Sequence, residues 1–213
     1  MDKYLNKLIE RMVIKERVAS SEQSIRFLAY REAEKADDVK YLPQLKAYIE
    51  MHRQKNKKNH RNAAYFIIGN ILIKNPILEY INYLLDCVLI ETDKYVIYSI
   101  LDRLAEVKIS EEINVNPIIQ CTKSEKWLIR HSAIKALKLS NTDLARQTAI
   151  DLLETEDITR NQYDIIDAID VLGYIGNISD ICFIKPFLVK KVRDVRNAAK
   201  FTIEKIEKRG IYI

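Results

Sequence analysis

Residues that interrupt helices or bridge chains are scarce in this sequence. Of 213 residues, four are Gly and four are Pro. A chain with so few breakers, dominated by Leu, Ile, Lys, Glu and Ala, reads as helix along most of its length. The scarcity of Gly also leaves no glycine-rich phosphate loop and no dinucleotide-binding fingerprint. Cys87, Cys121 and Cys182 are an odd set, each alone in an apolar stretch, which argues against a disulfide framework and for reduced thiols packed as small hydrophobes. The three histidines, His52, His60 and His131, are dispersed, and none stands at ligand spacing from a Cys or Glu. No metal, no cofactor and no Ser-His-Asp arrangement is therefore expected. No apolar run approaches the ~18 residues of a membrane span. The opening Met1 to Lys7 is too polar for a signal peptide. A cytoplasmic protein without membrane contact is the expectation.

What the sequence does have is a pattern that returns. Arg61-Asn62-Ala63-Ala64 leads to Ile68, Val96 to Ile100 leads to Leu104, and Ile129-Arg130-His131-Ser132-Ala133 leads to Leu137. Ile165-Ile166-Asp167-Ala168 leads to Leu172, and Val195-Arg196-Asn197-Ala198-Ala199 leads to Ile203. The aligned positions 64, 100, 133, 168 and 199 are 36, 33, 35 and 31 residues apart, the period of stacked helix pairs. A weaker copy, Ile25 to Ala29, lies 35 residues before Ala64. The small residues predict a seam where the second helix of each pair approaches its neighbours closely, with the apolar residue four on completing the buried face.

The run Leu172-Gly173-Tyr174-Ile175-Gly176-Asn177, then Asp180, Ile181, Ile184, Pro186 and Phe187, then Asp194-Val195-Arg196-Asn197-Ala198-Ala199, resembles the HEAT-like repeat family. The resemblance covers about six copies and implies an all-α, right-handed alpha-alpha solenoid of about six HEAT-like helix pairs, one domain over 1–213. Helices are expected at about 2–19, 21–36, 39–52, 59–74, a third pair opened by Pro76 and ending near 107, 114–123, 126–139, 141–154, 159–175, 179–189 and 194–209.

Charge is unevenly spread. Residues 1–75 carry 16 Lys and Arg against 9 Asp and Glu, 76–176 carry 10 against 17, and 177–213 carry 9 against 4. Lys55, Lys57, Lys58 and Arg61 near one end, and Lys190, Lys191 and Arg193 near the other, are candidate polyanion contacts on loops within helix pairs. Arg26, Arg61, Arg130 and Arg196 share one position of the repeat. They are expected to bond carboxylates or helix-end carbonyls at repeat junctions, as the resemblance implies, rather than to form a phosphate track. Two residues past each aligned position stand Phe66, Asp102, Lys135, Asp170 and Phe201, an expected ladder in which Lys135 meets Asp102 and Asp170. With Tyr98, Trp127 and His131 these are the candidate partner-binding residues. Asp164, Asp167 and Asp170, at i, i+3 and i+6, read as a solvated acidic face.

The segment Ser124 to Ile134, with Trp127 ahead of Arg130, is similar to one in HEAT-like DNA glycosylases that excise alkylated bases. It departs from that pattern one repeat earlier, where Tyr95 to Asp102 lacks the paired Trp and carries its Asp out of step. Excision would also require a carboxylate in a cleft beside Trp127. The sequence therefore reads as a non-enzymatic scaffold or adaptor that binds a protein partner on its curved helical surface. The alternative is a nucleic-acid-binding protein related to those glycosylases.

Overall fold

A computed structural model describes residues 1–53, 57–154 and 161–210. Among these residues there are twelve α-helices, four short 3-10 turns and no strand. One isolated parallel bridge joins Ile109 to Ser140. Backbone contacts divide the chain into two compact units, Met1–Val107 and Lys108–Ile213.

The first unit holds α1 (Lys3–Met12), α2 (Ile25–Ala33), α3 (Leu42–Arg53), α4 (Lys58–Lys74), α5 (Leu78–Ile90) and α6 (Lys94–Leu104). Helices pair as α1 with α2, α3 with α4 and α5 with α6, and α4 packs between α2 and α6. The expected helix to residue 19 stops at Met12. Leu5, Leu8, Ile9 and Met12 complete a buried stripe that the sequence does not continue. Glu16 instead accepts from the backbone of Ile25 and Arg26 at 3.1 and 2.8 Å and from the Ser24 hydroxyl, satisfying donors at the start of α2. The cap of α2 is Ser24, which accepts from Phe27 N at 2.9 Å. Asp93 caps α6 in the same way through Tyr95 and Val96.

The second unit holds α7 (Asn116–Thr122), α8 (Trp127–Ala136), α9 (Asp143–Leu153), α10 (Gln162–Ile175), α11 (Ile181–Ile184) and α12 (Arg193–Gly210). Here α8, α10 and α12 form the row, with α7, α9 and α11 behind them. The predicted seam is present. Ala63, Ala64, Ala133, Ala168 and Ala199 are fully buried, as are Ile68, Ile100, Leu104, Leu137 and Leu172. The exceptions are Ala198 and Ile203, which are half-buried. On α12, flanked in its row by α10 alone, Thr202 and Ile206 are buried instead. At Gly69 an added Cβ would stand 2.4 Å from Cβ of Arg103. Only glycine lets α4 and α6 meet at this point.

Candidate functional site

The repeated Arg position is resolved at four places. In the first unit Arg61 is buried; its Nε and Nη2 donate to both oxygens of Glu91 at 2.8 and 2.7 Å, and its Nη1 to the carbonyl of His52 at 3.2 Å. Tyr65 donates to the same carboxylate at 2.9 Å, and burial raises its pKa. The hydrogen bonds to Glu91 outweigh desolvation and raise the pKa of Arg61, so the guanidinium stays charged where it is buried. In the second unit Arg130 donates from Nε to Asp164 at 2.6 Å and from Nη1 to the Ser124 carbonyl at 2.9 Å. Arg196 donates to the carbonyls of Lys190 and Lys191, both at 2.7 Å. Arg26 lies 5.8 Å above the ring of Tyr30.

Four ion pairs span about one repeat period. Arg130 to Asp164 and Arg146 to Asp180 are 34 residues apart, Lys58 to Asp93 35, and His131 to Asp167 36. The same offset corrects the reading of the aspartates. Asp164 and Asp167 are each 8% exposed, closed off by Arg130 and His131, and are not a solvated face. Asp170 is exposed as expected and pairs with Lys138 at 3.2 Å, one turn beyond Lys135.

The row two residues past the aligned position does not form the expected ladder through Lys135. Phe66 meets Tyr30 edge-on at 4.9 Å and carries the Arg103 guanidinium at 5.1 Å. Asp102 pairs with that same Arg103 at 2.6 Å and is the chief cause of the raised pKa of Tyr98. On α10, Tyr174 receives Lys138 at 4.1 Å and Lys205 at 3.0 Å from its ring centroid. Burial works against the charge of Lys138, but Tyr174 and Asp170 outweigh it and raise its pKa. Lys135 and Phe201 point outward as exposed side chains.

A cleft lies between the start of α8 and the start of α10. It measures about 440 Å³ and is lined by Trp127, Arg130, His131, Asn161, Tyr163 and Asp164. Trp127 opens α8 and Tyr163 is the second residue of α10, and both lie in a first helical turn with the ring turned outward: they are 67% and 65% exposed. His131 sits between them, 6.4 Å from each ring, tilted 52° to Trp127 and 80° to Tyr163. Its Nδ1 faces Oδ2 of Asp167. Arg130 and Asp164 are fixed by their hydrogen bond while the rings of Trp127 and Tyr163 stay open, the arrangement of a preformed binding surface. Sequence reasoning singled out Trp127 and His131 but missed Tyr163, whose neighbour Asp164 lies one repeat from Arg130.

The basic clusters fare differently. Lys55 lies outside the described residues. Arg61 is withdrawn from its cluster by burial against Glu91, and Lys58 is neutralised by Asp93 at 2.6 Å. Lys57, Lys190 and Lys191 are exposed, and Arg193 pairs at 3.5 Å with Asp194, itself exposed. Among the described residues no group of three His, Cys, Asp or Glu side chains is placed to hold a metal. Burial pushes the Cys121 thiol up to about 11, far from thiolate chemistry. No described helix is long and apolar enough to cross a membrane.

No protein-family model and no curated protein matches the chain. Among solved structures, a crystal structure of an engineered protein, target OR329 of the Northeast Structural Genomics Consortium, aligns with 98% of this chain and 98% of its own at 15% identity and a TM-score of 0.55. A designed armadillo repeat protein, YIII(Dq)4CqI, covers 95% of this chain and 99% of its own at 13% identity and a TM-score of 0.51. Human deoxyhypusine hydroxylase in complex with glycerol aligns at 13% identity and a TM-score of 0.49, too distant to bear on chemistry. The chain has an all-α helical-repeat solenoid fold.

Proposed function

We propose that this chain is a non-enzymatic, HEAT-like binding module, acting in the cytoplasm, that takes a segment of a protein partner into the cleft between α8 and α10. The observation that carries the reading is the pair Trp127 and Tyr163, both about two-thirds exposed on the rim of one cleft above polar groups already fixed in place. Large aromatics left open over a preorganised floor are the usual anchors of a protein interface, because they bury much area at little entropic cost. The unbridged cysteines are in keeping with a reducing compartment. Affinity capture from the source cells with wild-type protein and with a Trp127→Ala/Tyr163→Ala variant tests it. Proteins held by the wild type and lost from the variant support the cleft. An identical set of captured proteins removes it.

The alternative, a nucleic-acid-binding relative of the alkylated-base glycosylases, is favoured by one observation. Asp164 supplies a carboxylate in the cleft beside Trp127. Against it, that carboxylate is committed to Arg130 at 2.6 Å and is not free to act on a base. Duplex DNA affinity that falls steeply with salt, together with release of an alkylated base lost on Asp164→Asn, would establish this second reading.

A further inference from the structure

We infer that the cleft between α8 and α10 selects a cationic side chain, an arginine or lysine presented by the protein partner. This deepens the reading above and rests on it. Trp127, His131 and Tyr163 line the cleft side by side, with neighbouring centroids 6.4 Å apart, and the rings of Trp127 and Tyr163 are open to a group seated there. The negative faces of such rings attract a cation at up to about 6 Å. Two carboxylates, each nine-tenths buried, adjoin them: Asp164 lines the cleft and Asp167 faces His131. Among the described residues Arg130 offsets the first, whereas the second faces His131, which carries charge only when protonated. Among the described residues these two carboxylates thus pair with a single permanent cation, Arg130. An anionic ligand would meet the second carboxylate unfavourably and a neutral one would leave it unused, while a cation gains from both rings and charge. A cleft of about 440 Å³ has room for one long side chain with the main chain that bears it.

Trp127 is the only tryptophan of the chain and stands at the site, so its emission reports occupancy directly. The experiment titrates the full-length protein with an acetylated, amidated tripeptide bearing arginine at its centre. Parallel titrations use the same tripeptide with lysine, with neutral citrulline, and the nucleoside 7-methylguanosine. The expected result is a saturable change in emission with arginine and lysine, roughly tenfold tighter than with citrulline. It should weaken about tenfold in Tyr163→Ala, whose exposed side chain can be removed with the fold intact by far-UV circular dichroism. Equal affinity for citrulline, no saturable change with either cationic peptide, or a response to 7-methylguanosine alone each overturns the inference. None of these outcomes touches the capture comparison, so the loss of charge selectivity and the loss of the cleft as a protein site are read separately.

Discussion

The same repeat position does opposite things in the two units. In the first, Arg61 is buried, grips both oxygens of Glu91 and shares that carboxylate with the buried Tyr65. In the second, Arg130 makes the equivalent tie to Asp164, but beside it stand the open rings of Trp127 and Tyr163, and the tie becomes the wall of a cleft. The position itself therefore carries no function. Its neighbours decide whether the charge seals an interior or presents a surface, which is why the repeat pattern predicts the scaffold and the departures from it mark the site.

The largest effect that can break this comparison is at Glu91. Glu91→Ala leaves a buried guanidinium without its anion and should cost about 3 to 5 kcal/mol in a urea unfolding titration. Asp164→Ala, at a less enclosed pair, should cost about 1.5 to 3 kcal/mol. Equal losses would mean that the two ties are alike after all. Next comes the seam. Ala199→Phe should overpack α12 against its neighbours and cost about 1 to 3 kcal/mol. Gly69→Ala forces α4 from Arg103 for a similar cost, reduced by up to about 1 kcal/mol of helix propensity. A melting temperature unmoved by Ala199→Phe would show that the repeat register is wrong.

A smaller effect is confined to the first unit. Desolvation, helped by Lys57 and His52 and opposed by Glu10, lowers the pKa of His60. The unfolded chain then binds the proton more readily, so stability is full above the unfolded value of about 6.5 and falls as pH drops through the window below it. His60→Gln should flatten that slope. Smallest of all is the stability change on Trp127→Ala, within about 0.5 kcal/mol for so exposed a side chain. We also propose that 1–213 behaves as one domain. Unfolding followed by Trp127 emission and by far-UV circular dichroism should then coincide, and separate midpoints would divide the chain at residue 107.

Most of the scaffold was legible because packing imposes a period. Ala64, Ala133, Ala168 and Ala199 had to be small for the rows to close, and they are buried. Helix ends were less legible. The stop at Met12 depends on Glu16 reaching across to cap α2, a contact that no local pattern announces. The aspartates were misread for a related reason. Spacing of three puts Asp164 and Asp167 on one helical face, but whether that face is wet depends on the preceding repeat, where Arg130 and His131 wait 34 and 36 residues upstream. A search for opposite charges at the repeat period would have found both. The cleft itself was half legible. Trp127 was singled out as the lone tryptophan, whereas Tyr163 is one of twelve tyrosines and nothing local distinguishes it from the buried Tyr65.

The central claim is that binding lives where the second unit departs from the shared pattern, not in the shared residues. It is tested most directly by comparing Trp127→Ala/Tyr163→Ala with wild type for melting temperature and partner capture in the same preparation. The account predicts an unchanged melting temperature and lost capture. Capture retained at wild-type level by the folded variant would contradict it.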